Sequence, residues 1–438
     1  MEDEKIFEKI VNSQFLRILI VGFLTLLLQI PMWMIQNLVI ERQTVRQEAV
    51  SNITKQWGQS QTVIGPRLVI PYIKRMKIGD TVRADVHNAA FLPEELNISS
   101  QIESEVRYRG IFEVPVYKSK IELKGKYSKP DFSNWGVQPE DILWDRAEVN
   151  VAIADAKAIQ NQAVMTWNER QIPFAPGSGK LGGNRSGIHV LLKGQMEGNA
   201  YNFTIPLVLN GSENLNFVPF GKFTTATIQS NWKNPSFQGE LPDQREINDK
   251  GFSAKWEIPS LGRNYAQQWN SESPVADETI QQSLFGVDLI SPVDHYSMTD
   301  RSLKYNFLFV LLTFVALWLF ELTAQVRVHP LQYLLIGVAM CLFYVMQLAI
   351  SEHLGFHWAY AIASFGVVSL ITLYSMGVLG MKRRGGIVGI MQVALYSYLY
   401  VVLANQDYAL LIGSLGLFAF LAIVMSLTRG LNAPRVTN

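Results

Sequence analysis

Apolar residues are concentrated at the two ends of the chain, and a long, more polar stretch separates them. Where the second apolar region begins, Tyr305–Phe320 is a charge-free run that Glu321 closes, and Leu331–Ile350 is a second run. At 1.5 Å per residue each run covers roughly 25–30 Å as a helix, about one hydrocarbon thickness. The pattern predicts a transmembrane hairpin that returns the chain to a bilayer.

The sequence contains other apolar stretches with the length of a membrane span: Ile18–Ile40, Trp358–Leu379, Ile387–Ala404 and Tyr408–Leu427. Ile18–Ile40 is longer than the apolar region of a signal peptide, and no small-residue cleavage site follows it. We therefore expect an uncleaved signal anchor, with a kink at Pro31 because proline removes a helix hydrogen bond. With the hairpin, the sequence predicts six spans.

The middle of the chain changes to a period of two, which is typical of half-buried strands. The predicted strand segments are Arg67–Tyr72, Ile98–Tyr108, Lys120–Tyr127, Glu148–Ile153, Tyr201–Leu209 and Phe252–Ile258. They indicate a mainly β, mostly antiparallel domain, with two packed sheets as the expected form. We predict one helix inside it, at Asp155–Trp167, and an amphipathic helix before it, at Glu41–Trp57, which Gly58 ends. The pattern is weakest at Pro173–Gly187, and whether the domain is one unit or two stays open.

The predicted fold class is thus a multi-pass α-helical membrane protein of six spans, with a large, mainly β domain inserted between spans 1 and 2. The expected division is a cytoplasmic N-terminus and signal anchor at 1–40, the β domain with its leading helix at 41–300, a five-helix bundle at 301–428, and a tail at 429–438. Met1–Arg17 is either a short interfacial helix or a frayed terminus.

The Lys and Arg content of the short loops predicts orientation. One set of segments is basic, carrying Lys5, Lys9, Arg17, Arg327, Lys382, Arg383, Arg384, Arg429 and Arg435. The opposite short loops, Ser351–His357 and Asn405–Asp407, contain neither Lys nor Arg. We therefore expect both termini in the cytoplasm and the β domain, residues ~41–304, on the outer side of the membrane.

Composition narrows the class of function. Only 17% of the 438 residues are charged, against roughly 25% in soluble domains. The formal net charge of +1 argues against nucleic-acid binding. The single cysteine, Cys341, excludes an intrachain disulfide and a cysteine-rich metal site, and we predict no cofactor. Membrane lipid is an expected contact of the spans.

The motifs of known enzymes are weak or missing. Pro176–Lys180 (PGSGK) is similar to a phosphate loop, but Phe174 stands where a glycine is required and Leu181 follows the lysine. A β-turn loop is the preferred interpretation. No G-x-S-x-G is present, and the β domain has only His87, His189 and His295. We predict no catalytic residues, although a serine–histidine or dicarboxylate enzyme is not excluded.

A few polar residues near the span ends are candidates for chemistry. His353 and His357 have the spacing of two zinc ligands on a helix, beside Glu352, but Gly355 interrupts them, and a loop cap is preferred. Glu321 with His329 or Arg327 has the chemistry of a proton relay, although polar residues at span ends more often mark the interface. The main deep polar groups are Gln29, Gln347 and Gln392. No charged residue lies in the middle of a predicted span. Because ion-coupled transporters usually need an ionisable residue inside the membrane, this absence argues against that function.

Motifs along nearly the whole chain resemble the CreD family of bacterial inner-membrane, cell-envelope integrity proteins. The fairly specific elements are the H-P-x-Q-Y and S-E-H segments. The matching positions include Trp57, Gly58, Gln61, Gly65, Pro66, Ile70–Tyr72, Pro292–Asp294, Arg301, Lys304, Tyr305, Glu321, His329, Pro330, Gln332, Tyr333, Ser351, Glu352 and His353. The resemblance implies an anchor, a periplasmic domain and a helical bundle, with a role in envelope integrity under control of a stress-responsive two-component system. It implies no catalytic mechanism.

Two functions follow as hypotheses. In the first, the protein is not an enzyme and its periplasmic domain binds a periplasmic or inner-membrane protein partner. In the second, the protein is a transporter or lipid-handling protein whose bundle acts while the β domain gates. A stimulus receptor is a weaker third interpretation, because only loops and a short tail are expected in the cytoplasm.

Overall fold

The computed structural model describes residues 14–78, 80–180, 186–289, 295–324, 326–405 and 408–429. The chain forms two compact units: a helical unit, Met1–Arg46 with Val293–Asn438, and a β unit, Gln47–Pro292. The predicted interfacial helix at Met1–Arg17, the family motif at Pro292–Asp294 and the tail lie wholly or largely outside the described residues.

The helices are numbered in chain order. They are α1 (Gln14–Leu27), α2 (Gln29–Trp57), α3 (Asp277–Gln281, in the β unit), α4 (His295–Lys304), α5 (Asn306–Ala324), α6 (Pro330–Val378), α7 (Lys382–Ala404) and α8 (Ala409–Thr428). The predicted helix before the β domain is thus part of the longer α2. The break at Leu28, between α1 and α2, precedes Pro31, which cannot donate to the carbonyl of Leu27.

Among the described residues, four helices are long and apolar enough to cross a membrane, and the pair α4–α5, bent by 46°, is a fifth candidate. The long helix α6 contains one non-helical residue, Gly355, at φ 79° and ψ 165°. The prediction of an open loop at Ser351–His357 is wrong, since this segment is helical on both sides of that glycine. A positive φ is accessible to glycine because it has no Cβ.

Large apolar side chains cover the outside of the helical unit. Phe365 is 77% exposed, Leu410 87% and Phe418 73%. In water such a surface is costly, whereas in a bilayer it contacts lipid tails and leaves the backbone groups bonded within the helices. The unit is therefore built for a membrane.

The β unit contains two sheets among the described residues. The first has the order β13-β17-β11-β1-β5-β9-β8, with β2 paired to β1 and β16 to β2. Its strands are β1 (Gln61–Ile78), β2 (Thr81–Phe91), β5 (Glu148–Ile153), β8 (Ala175–Pro176), β9 (Gly187–Leu191), β11 (Asn214–Phe217), β13 (Pro235–Gly239), β16 (Gln268–Asn270) and β17 (Phe285–Leu289).

The second sheet has the order β14-β15-β12-β3-β4-β10-β6-β7. Its strands are β3 (Glu95–Arg109), β4 (Phe112–Ser128), β6 (Val164–Trp167), β7 (Arg170–Pro173), β10 (Ala200–Ser212), β12 (Phe223–Ser230), β14 (Gln244–Asn248) and β15 (Gly251–Pro259). Most pairs are antiparallel, as expected, but β1 pairs with β11 and β3 with β12 in parallel.

The two sheets share one hydrophobic core. It joins residues such as Ile70 and Val151 of the first sheet with Leu123, Phe203 and Trp256 of the second. On β10, alternate residues from Tyr201 to Leu209 are buried, as the period of two predicts. A common core and one compact unit show that the β domain is not divided at Pro173–Gly187.

The helix predicted at Asp155–Trp167 is wrong. A short 3-10 turn occupies Ala156–Ala158, and the segment ends in strand β6. Asp155 accepts a hydrogen bond from the Lys157 amide at 3.2 Å, which is the helix-start signal that the sequence displays. Pairing of Trp167 with Phe203 of β10 then places the apolar residues in a sheet, where their burial outweighs local helix preference.

Candidate functional site

Glu321 is the centre of a buried polar cluster in the helical unit. Its carboxylate pairs with Arg17, accepts a hydrogen bond from the Val328 amide at 3.0 Å, and accepts another from the Tyr333 hydroxyl at 3.0 Å. Glu321 is 5% exposed and Tyr333 4%. A charge at such depth is stable only when it is paired and hydrogen-bonded, and these three donors meet that requirement.

The H-P-x-Q-Y motif builds the start of α6 beside that cluster. His329 is the N-cap: its Nδ1 accepts from the Leu331 amide at 3.2 Å, while Gln332 accepts from the His329 amide at 2.9 Å. Pro330 occupies the first helical position, where no amide hydrogen is needed. The reciprocal cap fixes the first turn and with it the direction of Tyr333. Arg327 is exposed.

A second polar cluster surrounds Glu352, further along α6. Its Oε1 accepts from the Tyr296 hydroxyl at 2.9 Å and lies 3.6 Å from Nε of Arg42. Each cluster therefore combines a glutamate, an arginine from the N-terminal helices and a tyrosine. Tyr333 and Glu352 are separated by about 28 Å along α6 at 1.5 Å per residue, close to one hydrocarbon thickness.

The structure does not assemble a metal site around Glu352. His353 is exposed, and Nδ1 of His357 lies 3.0 Å from the Tyr400 hydroxyl on α7. Among the described residues, no three His, Cys, Asp or Glu side chains are grouped to hold a metal ion. In the same region Arg301 has one buried guanidinium nitrogen without a hydrogen-bond partner, and Tyr305 lies at the bend between α4 and α5.

The deep glutamines differ in their surroundings. Gln347 is fully buried and accepts from the Ser302 hydroxyl at 3.3 Å. Gln392 is also fully buried, and neither its amide nitrogen nor its oxygen has a hydrogen-bond partner. Gln29 donates to the Thr25 carbonyl at 3.2 Å, one turn back on the same polypeptide. These contacts do not form a continuous polar path.

Trp57 and Gly58 form a junction at the end of α2, inside the β unit. The Trp57 indole donates to the Tyr117 carbonyl at 3.1 Å, and the Arg107 guanidinium lies 3.6 Å above its ring. Gly58 has φ 151°, and a Cβ there would lie 2.6 Å from the Asn210 carbonyl oxygen. The buried Gln61 also bonds that carbonyl, at 3.0 Å.

Gly65 and Pro66 interrupt the pairing of β1 with β5, where the register shifts between Ile64 and Arg67. Gly65 has φ 143°, and a Cβ would lie 3.0 Å from the Asn150 carbonyl oxygen. These motif positions therefore have a structural explanation: close approach of two backbones.

The loop that is similar to a phosphate loop covers a buried carboxylate. The Lys180 amide donates to Oε1 of Glu148 at 2.5 Å, and the lysine ammonium donates to the Arg146 carbonyl at 3.0 Å. Glu148 is 2% exposed. A negative side chain already occupies the position that a phosphate would take, in agreement with the preferred β-turn interpretation.

Tyr72, another motif position, lies beside a charged group of the β unit. Its ring stacks on His87 with centroids 5.8 Å apart, and burial raises the pKa of its hydroxyl. Lys74 donates to Glu272 at 2.6 Å, and this bond lowers the pKa of the Glu272 carboxyl.

These residues do not form a catalytic triad. Nδ1 of His87 lies 3.5 Å from the Ser271 hydroxyl and 3.7 Å from Glu272, so the same nitrogen faces both groups. A proton relay needs one ring nitrogen for each partner. Nδ1 of His189 lies 2.9 Å from the Gly177 carbonyl oxygen instead, and the side chain of His295 lies outside the described residues.

Sequence reasoning missed a polar cleft of about 390 Å³ in the second sheet. Its lining includes Gln101, Glu103, Gln229, Asn231, Glu246 and Lys250, from β3, β12 and β14 and the segments that follow them. The adjoining strand β14 stands at the end of the sheet, and all its side chains are exposed. No local sequence pattern marks the cleft, because its residues come from distant segments.

Comparison with known proteins gives one consistent result. Residues 13–433 match the model of the family described as Inner membrane protein CreD. The chain is also 30% identical over 414 residues to the Inner membrane protein CreD of Escherichia coli (strain K12), covering 93% of this chain and 91% of that protein. Both matches include the helical unit and the β unit.

Proposed function

The chain belongs to the CreD family of inner membrane proteins, and from that premise we propose that it is a non-enzymatic protein that supports the integrity of the bacterial cell envelope. The β unit binds an envelope protein, and the helical unit holds it at the inner membrane. The single observation that carries this proposal is the polar cleft beside the terminal strand β14.

The chemistry of the cleft favours an extended polypeptide as the partner. Its amide side chains offer both donors and acceptors, while Glu103, Glu246 and Lys250 add charges of both signs. The terminal position of β14 leaves one row of backbone groups to pair with an added strand. Main-chain pairing would supply affinity, and contacts between the cleft and alternate side chains of the partner would supply specificity.

We further propose six spans, with both termini in the cytoplasm and the β unit in the periplasm. The break at Gly355 divides α6, 49 residues long, into parts of 25 and 23 residues, and about 20 are enough to cross a bilayer. Counting those halves separately, with the bent pair α4–α5 as one span, gives six. The basic segment Lys382–Arg384 then lies in the cytoplasm, as the positive-inside rule requires.

Several contacts support a role without catalysis. Glu321 and Glu352 are bonded within the helical unit, and the histidine nearest to a serine and a glutamate, His87, presents one nitrogen to both. Each of these groups thus has a contact with a neighbouring side chain in its own unit.

The proposal is tested by crosslinking in living cells. The full-length protein carries a photo-crosslinking amino acid in place of Glu246 at the cleft, or in place of Glu197, an exposed glutamate outside it. We expect a discrete protein adduct from position 246 alone, identified by mass spectrometry. If both positions trap the same proteins, or neither traps any, the cleft is not the binding site and the proposal fails.

A further inference from the structure

A groove of about 840 Å³ runs between the second half of α6 and α7. Along α6 its lining residues recur every three or four positions from His357 to Leu373, and along α7 they recur from Val393 to Val401. Residues at this spacing share one face of a helix. The groove is about 24 Å long at 1.5 Å per residue, most of one hydrocarbon thickness.

The polar groups of the groove are concentrated at its His357 end. There Nδ1 of His357 lies 3.0 Å from the Tyr400 hydroxyl, and the Tyr360 hydroxyl donates to the Tyr396 carbonyl at 2.6 Å. When Tyr400 donates its proton to Nδ1, the neutral imidazole carries its own proton on Nε2. His357 is exposed, so that proton points to a site that an incoming oxygen can reach.

The rest of the groove behaves as an apolar surface. The hydroxyl of Ser364 donates to the Tyr360 carbonyl, and that of Thr372 donates to the Val368 carbonyl at 2.6 Å. Such bonds within one helix satisfy the hydroxyls without a partner from outside. Phe365 and Leu373, 77% and 68% exposed, widen the apolar wall. The groove therefore has one polar end and a long apolar body.

We propose that this groove is a binding site for one phospholipid, which lays an acyl chain along α6 and α7 and directs its phosphate to the Nε2–H group of His357, which Tyr400 orients. The inference is independent of the partner proposed for the β unit.

Three observations favour a phospholipid over other occupants. The groove lies on helices of an inner-membrane protein, so lipid is the surrounding solvent. Its volume is within the roughly 300–1,000 Å³ of ligand pockets. Its lining contains no Lys, Arg, Asp or Glu, so a zwitterionic headgroup fits better than an anionic one, which would require a neutralising cation.

The test uses the full-length protein in vesicles of phosphatidylethanolamine that include a fraction with a photoreactive acyl chain. After illumination, the labelled peptides are mapped by mass spectrometry. We expect labelling at 357–373 and 393–401 above that of the other lipid-facing helices. Ser397→Phe fills the groove from α7, and Ser414→Phe makes the same change at an exposed serine of α8. The first should lower groove labelling by at least about fivefold, and the second should leave it unchanged.

A second variant examines the polar end. Tyr400→Phe removes the hydroxyl that orients His357, and Tyr408→Phe removes an exposed hydroxyl at the start of α8. We expect the lipid retained by detergent-purified protein, measured by native mass spectrometry, to fall for Tyr400→Phe only. Uniform labelling of all helices, equal effects of Ser397→Phe and Ser414→Phe, or crosslinks between two copies through this groove would each overturn the proposal.

Discussion

The hydroxyl of Tyr333 donates to the buried carboxylate of Glu321 at 3.0 Å, and the same carboxylate pairs with Arg17. One ionised side chain thus joins α1, the end of α5 and the start of α6. Because a carboxylate accepts several hydrogen bonds at once, it can hold three segments together where apolar contacts alone would allow them to slide past one another. The stability of the helical unit around Glu321 should therefore depend on each group that donates a hydrogen bond to its carboxylate.

Tyr333→Phe should destabilise the helical unit by about 1–3 kcal/mol, because it leaves part of a buried charge without a donor. The ring and its contact with Phe314, at 5.6 Å between centroids, are retained. Thermal unfolding of the detergent-solubilised protein measures the effect. Tyr408→Phe, at an exposed tyrosine, is the matched control. Equal unfolding temperatures for the two variants would show that the bond to Glu321 contributes nothing.

The capping role of His329 predicts a rescue by a residue that cannot relay protons. His329→Ala should cost about 1 kcal/mol, since it removes the acceptor for the Leu331 amide. His329→Asn should recover most of that loss, because asparagine is a strong N-cap. For each variant we would measure the unfolding temperature and the ability to support envelope integrity in cells. A stable His329→Asn protein without function would contradict a purely structural histidine and favour proton transfer.

The sequence predicted strands best where apolar residues alternate along the chain. On β10 the alternation from Tyr201 to Leu209 matches the buried positions, and the predicted segment Glu148–Ile153 coincides with β5. On β5 both faces are buried, including Glu148 and Asn150, because a loop covers the second face. Burial of that second face depends on a distant segment, so no local pattern could reveal it.

For the candidate sites too, the sequence revealed local motifs but not contacts between distant segments. The H-P-x-Q-Y motif was visible, but its capping geometry depends on backbone directions that a sequence does not display. The stripe from His357 to Leu373 has helical spacing and was readable in principle. The polar cleft was not, because Gln101 and Glu246 are distant in sequence and meet only through the order of strands β3, β12, β15 and β14.

Gly58 should be intolerant of any side chain. In Gly58→Ala the new Cβ would lie 2.6 Å from the Asn210 carbonyl oxygen, with φ at 151°. We expect a loss of more than about 1 kcal/mol in the free energy of unfolding, because both the contact and the backbone angle are unfavourable. Gly262→Ala is the control, since no atom lies within 4 Å of its Cβ. Similar stabilities of the two variants would refute a close backbone contact at the junction.

The bond between Lys74 and Glu272 gives the β unit a pH-dependent contribution. It lowers the folded-state pKa of Glu272, so the stabilisation is complete above the ordinary glutamate value and is lost as the pH falls through the folded-state value. Lys74→Met should therefore lower the unfolding temperature at pH about 7 and have less effect at pH about 3. Lys193→Met, at an exposed lysine, is the control. A deficit of Lys74→Met that is the same at both pH values would contradict this assignment.

The proposed orientation makes a direct prediction for cysteine labelling. Cys341 is the single cysteine and is 6% exposed, so Cys341→Ser provides a background without reactive thiols. On it, Glu197→Cys places a thiol on the β unit, and Arg383→Cys places one in the basic first turn of α7. A membrane-impermeant maleimide added to cells with a permeabilised outer membrane should modify the first and spare the second, because the proposed orientation places only the first in the periplasm. Lysis of the cells should make both reactive, which establishes that each thiol is accessible. Labelling of Arg383→Cys in unlysed cells, or protection of Glu197→Cys, would show that the orientation is the opposite one. The cleft would then face the cytoplasm and could not bind a periplasmic partner.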